Sequence, residues 1–305
     1  MGLKMKIIIL TAIALLCASS AFAEFYPEFE GYYTKDSDNM TEAQNVLSVN
    51  DFIGKKTAVG LLAGFSNYSD PTRTENTQSI QLRYKNAALS RWSLSAQAGL
   101  LEYLKTSMSV YSGNAVYEHP EGFRLETTVD KSLLDTFAAF DNDISVTTLS
   151  STADFPLSNK ITLIAGGDSR SFSDGNERLG LIGKGIFLLP VEGLSLQVWH
   201  RQFRDTKLDS DGYFNPVTIN FQRYLLSYRK GLIKHIRLSL KAGPGTQQVN
   251  DEQRTNTIYL EAGLEKQIRS GLSFSASYIY TDSYIDNSLL SYKINILSCK
   301  FTYLF

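Results

Sequence analysis

The chain is written in period two. Toward its C-terminal end, Phe305, Tyr303, Phe301, Cys299 and Leu297 share one face, while Thr302, Lys300 and Ser298 share the other. Successive side chains of a β-strand point to opposite sides, so this stretch reads as a strand with an apolar, aromatic-ended face and a polar one. Such a strand suits the boundary between lipid and a wet lumen. The pattern recurs. Leu194, Leu196 and Val198 alternate with Ser195 and Gln197, and Ile236, Leu238, Leu240 and Ala242 with Arg237, Ser239 and Lys241. Three serines, Ser273, Ser275 and Ser277, oppose apolar neighbours, and Ile80, Leu82 and Tyr84 oppose Gln81, Arg83 and Lys85.

Sixteen strand-like segments are predicted: 25–36, 41–53, 57–68, 74–86, 90–103, 107–119, 122–133, 143–155, 160–172, 176–189, 193–205, 216–230, 234–243, 254–266, 271–282 and 290–304. That is about 18 residues per strand with its connection, which suits transmembrane strands of roughly 9–11 residues. Residues 133–150 are poorly periodic, which leaves the count open by two. The fold expected is all-β, a transmembrane up-and-down antiparallel β-barrel of about 16 strands. A soluble β-sandwich also alternates, but it places its large apolar residues inward. Short turns near Ser158-Asn159, Val191-Glu192, Gly231-Leu232 and Ser270-Gly271 are expected at the periplasmic end. Longer polar loops, 69–76, 205–215, 245–254 and 282–288, are expected outside, and none looks suited to folding in as a constriction. The aromatics Phe301, Tyr303 and Phe305 resemble the C-terminal signal that outer-membrane barrels present to the barrel assembly machinery.

The start of the chain agrees. Residues 1–23 read as a cleaved signal peptide: Lys4 and Lys6 form a basic region, Ile7 to Ala18 an apolar one, and Ala21-Phe22-Ala23 a cleavage site. The apolar run is too short to span a bilayer, which takes roughly 20 residues. Residues 24–305 then form the barrel, and the expected location is the outer membrane of a Gram-negative cell. Mean hydropathy is −0.15, a value a barrel produces because each strand is only half apolar. After cleavage 28 basic and 31 acidic side chains remain, a near-neutral balance that argues against a nucleic-acid partner and leaves outer-membrane lipid as the main one. Cys299 is the one cysteine of the mature chain, so no internal disulfide is expected. The scattered cysteine and histidines make no metal-ligand cluster, and no cofactor is expected.

The strand phase assigns Arg83, Lys85, Arg124, Arg201, Arg223, Arg229, Arg237, Lys241 and Lys300 to the lumen, with Glu126, Asp130, Glu261 and Glu265. On the lipid face at mid-bilayer an Arg or Lys would cost roughly 2–4 kcal/mol. Two readings stand for these charges: inward ion pairs that only fill and stiffen the barrel, or a polar conduit for a hydrophilic substrate. Trp199, Phe203, Tyr213 and Tyr259 are candidate aromatic faces for sugar rings. Catalysis is not expected. His119, His200 and His235 lie in different segments with no Ser/His/Asp spacing.

Two stretches carry a resemblance. Residues 30–40 run a first strand into an Asp-Ser-Asp turn, and Asp211-Gly212-Tyr213-Phe214-Asn215-Pro216 precedes the strand that starts at Val217. Together they resemble the C-terminal barrel of exopolysaccharide export porins, the outer-membrane proteins of cellulose and poly-N-acetylglucosamine secretion. The resemblance implies a sixteen-stranded barrel that passes a growing polysaccharide outward, with Gly212, Tyr213, Phe214 and Pro216 shaping an exit loop. It departs in one respect. Those porins carry a tetratricopeptide superhelix before the barrel, whereas Glu24 leads straight into the first strand. A separate periplasmic tetratricopeptide-type protein and a polysaccharide synthase are then the implied partners. The alternatives are a non-conducting scaffold barrel and a general diffusion porin.

Overall fold

The computed structural model describes residues 25–37, 39–54, 56–87, 89–104, 106–207, 213–233, 235–269, 272–282 and 293–303. The expected signal peptide, Gly212 and Phe305 lie outside these residues. The described residues form sixteen strands. They are β1 (Phe25–Asp36), β2 (Thr41–Gly54), β3 (Thr57–Ser69), β4 (Thr74–Asn86), β5 (Trp92–Tyr103), β6 (Thr106–Glu118), β7 (Arg124–Leu133) and β8 (Ser145–Pro156). The second half is β9 (Ile161–Phe172), β10 (Glu177–Leu188), β11 (Leu194–Asp205), β12 (Thr218–Ile233), β13 (Ile236–Val249), β14 (Thr255–Arg269), β15 (Leu272–Thr281) and β16 (Ile294–Tyr303). One short helix, α1 (Phe137–Asp141), lies between β7 and β8.

Every strand pairs antiparallel with its neighbours in sequence, and β1 closes the ring on β16 from Glu28↔Thr302 to Asp36↔Ile294. Closure leaves no sheet edge, as a bilayer without water to satisfy backbone groups requires. The connections at the end where β1 starts and β16 finishes hold two to five residues, while those at the other end reach twelve. Short turns mark the periplasmic end and long loops the exterior.

The two faces separate as the alternation predicts. Outward residues such as Phe29, Leu47, Phe65, Leu82, Leu100, Leu149, Leu181, Tyr224, Leu226, Leu260, Leu297 and Phe301 are large, apolar and exposed. A contiguous exposed belt of this kind belongs against hydrocarbon. Cys299 lies in the same outward phase, half-buried, with Gly31 opposite it on β1. The inward positions are the inverse of a soluble core: Ser48, Asn50, Ser66, Thr77, Gln197, Gln247 and Thr257 are buried.

Three sequence expectations need correction. First, β13 does not end at residue 243 but runs to Val249, so the loop expected at 245–254 shrinks to 250–254. Gly243-Pro244-Gly245 reads as a breaker, yet it stays in the sheet. Pro244 needs no ladder partner on β12, because pairing with β12 skips from Arg223↔Gly245 to Leu226↔Ala242. A Cβ at Gly243 would run into the Tyr224 carbonyl, so glycine lets the two backbones approach. Second, the aperiodic stretch after β7 is an 11-residue loop with α1, capped by Thr136 Oγ1, which accepts from the Ala139 N–H at 3.1 Å. Third, this loop does fold inward. Phe140 is 1 % exposed and meets Tyr68 edge-on at 4.9 Å and Tyr103 at 6.5 Å.

Candidate functional site: the barrel lumen

The lumen has two halves of different chemistry. In the periplasmic half the inward charges assemble into small networks across several strands. Glu28 of β1 meets Arg83 of β4 at 2.8 Å, Lys85 at 3.4 Å and Lys300 of β16 at 3.6 Å. Lys300 also meets Glu30 at 2.5 Å. On β12–β14, Glu265 is shared by Arg237 at 2.9 Å and Arg229 at 3.4 Å, while Lys241 bonds both oxygens of Glu261 at 2.8 and 2.9 Å. Tyr259 donates its hydroxyl to Glu261 at 2.6 Å. On β7, Arg124 pairs Glu126 at 2.6 Å, and Asn114 donates to Glu126 at 2.7 Å. The register explains the pairs. Lys241↔Glu261 and Arg237↔Glu265 sit directly opposite on β13 and β14, and Glu30↔Lys300 on β1 and β16. Opposite charges facing across a ladder attract at little conformational cost.

Space remains beside these networks. A cavity of about 500 Å³ at the periplasmic mouth is lined by His235, Arg237, Glu265, Ser273, Ser275 and Lys300 among others. A second, of about 490 Å³, lies deeper between β1–β2 and β13–β16 and shares Glu265, Ser275 and Lys300 with the first. Ser239, Ser277 and Ser298 add hydroxyls to its wall. The result is a polar channel side, rich in small hydrogen-bonding groups that accept many orientations of a sliding partner.

Toward the exterior the lumen narrows onto apolar clusters. Phe203, Phe214, Ile219, Phe221 and Val249 form one, with Trp199 packed at its edge. Leu134, Ala139, Ile144, Val146, Phe172 and Tyr213 form the other, and it joins the α1 loop to the loop before β12. Tyr213 stacks on Phe172 with centroids 4.5 Å apart and exchanges hydrogen bonds with Asn176 and Asp174, each at 3.0 Å. Phe214 accepts from Arg178 through its carbonyl at 2.6 Å. Arg178 is fully buried, paired with both oxygens of Asp205 at 2.7 and 2.9 Å, and its guanidinium lies 4.4 Å from the Phe203 ring. The described exit-motif residues Tyr213, Phe214 and Pro216 are therefore buried in the mouth.

Arg223 is set differently from the other lumen cations. Trp199, Arg223, Gly245 and Thr257 form one row across β11–β14. Because Gly245 has no side chain, Arg223 lies flat across it, donating to Thr281 on β15 at 2.8 Å. Its guanidinium sits 4.2 Å from the Phe221 ring and 4.5 Å from Tyr259. Arg201 of β11 pairs Asp168 of β9 at 3.6 Å. Of the four aromatic candidates, Phe203 and Tyr213 are spent in apolar packing. Trp199 carries the Lys184 ammonium 5.4 Å from its ring.

Sequence reasoning missed the carboxylates that organise the site, Glu28, Glu30 and Asp168, and the buried Arg178–Asp205 pair. Strand phase would have found Glu28, Glu30 and Asp168, since each occupies the polar face of its strand. Nothing local marks Arg178 and Asp205, because their burial depends on a loop arriving from elsewhere.

The closed ring, the lipid-facing belt and the polar lumen define a transmembrane barrel of the outer-membrane kind. Among solved structures, the fold is similar to a bacterial polysaccharide outer membrane secretin. The TM-score is 0.74 and the identity 11 %, over 92 % of this chain and 98 % of that one. It is also similar to the CymD monoaromatic hydrocarbon channel, with a TM-score of 0.51 and 12 % identity over 92 % of this chain and 88 % of that one. At these identities the likeness is one of fold. No protein-family model matches the chain, and no curated protein matches its sequence.

Proposed function

We propose that this barrel passes a hydrophilic polymer, an exopolysaccharide, from periplasm to exterior. One observation carries the reading: the two cavities of about 500 and 490 Å³ share lining residues and run along a single hydroxyl- and charge-lined wall. Passage is passive. The lumen lowers the cost of moving a hydrated chain through the hydrocarbon layer, and synthesis upstream supplies the drive. Serine hydroxyls and paired carboxylates exchange hydrogen bonds with sugar hydroxyls, and Trp199 offers a ring face beside them. The fold likeness to a polysaccharide secretin supports this reading. A polysaccharide synthase, a separate periplasmic tetratricopeptide-type protein and the barrel assembly machinery are the partners it calls for.

A second reading has its own support. The exterior mouth is filled by the α1 loop and the Tyr213–Pro216 segment, which favours a non-conducting scaffold unless these loops move. Planar-bilayer conductance separates the two. The conduit gives ion current that candidate polysaccharides reduce, at least after residues 135–143 are replaced by a short turn. A barrel silent in both forms is a scaffold.

A further inference from the structure

At the periplasmic mouth the cations outnumber the carboxylates. Glu28, met by Arg83, Lys85 and Lys300, has a side chain only 7 % exposed, whereas Lys85 and Lys300 are 37 % and 42 % exposed. Glu265, itself 50 % exposed, is shared by Arg229 and Arg237, which are 60 % and 55 % exposed. The mouth cavity is lined by Arg237, Lys266, Lys300 and His235 against a single carboxylate, Glu265, whereas the deeper cavity is lined by Glu30, Glu261 and Glu265 against Lys300. The connections repeat this asymmetry along the barrel axis. Among the described residues, the periplasmic turns carry Lys56, Arg91 and Lys160 against Glu121 and Glu192. Among the described residues, the exterior connections carry eight acidic residues against four basic ones.

We propose that the periplasmic mouth of the lumen is an anion-receiving vestibule, so that the polymer this barrel takes bears acidic groups such as uronate carboxylates. This rests on the conduit reading and narrows it to a substrate class. One carboxylate, Glu265, shared by Arg229 and Arg237 leaves part of their attraction unspent, and a low-dielectric wall focuses the resulting field into the cavity. Arg237 and Arg229 present fork-shaped donors that match a carboxylate in two-point contact. The acidic exterior opposes re-capture of the same polymer once it has left, which gives the passage a direction of preference.

The test is titration calorimetry on the full barrel in detergent, with an oligouronate, a neutral malto-oligosaccharide and a chitosan oligomer as probes. The vestibule opens to the periplasm, so binding does not depend on the state of the exterior mouth. The oligouronate is expected to bind at least about tenfold more tightly than the neutral probe and to weaken as salt is raised. Arg229→Gln with Arg237→Gln is expected to remove most of that preference. Lys85→Gln with Lys300→Gln is a second pair should the first misfold. Equal binding of all three probes, tighter binding of chitosan, or a preference unchanged in both variants overturns the assignment. Oligouronate binding by a barrel that never conducts overturns the conduit and leaves the vestibule standing.

Discussion

Arg178 and Arg223 show how one side-chain type takes two roles inside one barrel. Arg178 is closed in by Asp205, the Phe214 carbonyl and the Phe203 ring. Removing its carboxylate would leave a buried charge without its main compensation. Asp205→Ala is expected to cost roughly 3–5 kcal/mol, measured as a fall in urea-unfolding free energy in liposomes. Arg223 depends instead on an absent side chain. A Cβ at Gly245 would lie 2.5 Å from the Gln222 backbone carbonyl oxygen, 2.7 Å from Thr257 Oγ1 and 3.0 Å from Arg223 Cγ. Gly245→Ala should therefore lift the guanidinium from the wall and destabilise the barrel by about 1–3 kcal/mol, the range for overpacking. Wild-type stability for that variant would show that the row across β11–β14 yields more easily than its geometry indicates. On the outer face, Leu226→Arg is expected to cost roughly 2–4 kcal/mol where it faces mid-bilayer, read from the same unfolding curves.

At the scale of elements, the loops at the exterior mouth are held unequally. The segment before β12 is pinned by buried groups, Arg178, Asn176 and the Phe172 ring. The α1 loop has Phe140 as its apolar anchor and, at the surface, an exposed contact. Arg73 donates to Asp141 at 2.8 Å and lies 5.1 Å from the Phe137 ring. The hydrogen bond from Arg73 holds the Asp141 carboxyl below the usual carboxylate range. A lowered folded-state pKa means the contact is fully formed above the ordinary value and is lost as pH falls through the lowered one. Hydrogen exchange of residues 137–141 should therefore be slow at neutral pH and accelerate only at strongly acidic pH. Asp141→Asn should bring the faster exchange to neutral pH. If the variant exchanges as slowly as the parent, the buried contacts of Leu134, Ala139, Phe140 and Ile144 hold the loop without it.

For the whole molecule, the axial distribution of charge matters more than its total. A nearly neutral chain still presents basic turns to one side of the membrane and acidic loops to the other. Arg237→Glu with Lys241→Glu replaces two inward cations by anions and should shift reversal potential toward cation selectivity, by a margin that shrinks at high salt. Unchanged selectivity would mean that these side chains do not border the ion path. Sixteen strands enclose room for a polar passage beside the networks, and the α1 loop and the Tyr213–Pro216 segment pack at its exterior end.

The sequence alone determined the sheet and its two faces. Period two is a local property, because each residue's side is set by its immediate neighbours, and lipid against water makes the two sides chemically distinct. That is why most strand positions, the inward phase of Arg83, Arg237, Lys241 and Lys300, and the outward phase of Cys299 and Phe301 were legible, while the end of β13 was not. Pairs such as Lys241–Glu261 follow once strands are laid side by side. Only the tertiary structure decided how the exterior end is filled. Whether Phe140, Tyr213 and Phe214 point to solvent or into the mouth depends on residues far away in sequence, and Gly243-Pro244-Gly245 looks like a break until a neighbouring backbone is seen against it. Local alternation writes the wall, and long-range packing decides what stands in the opening.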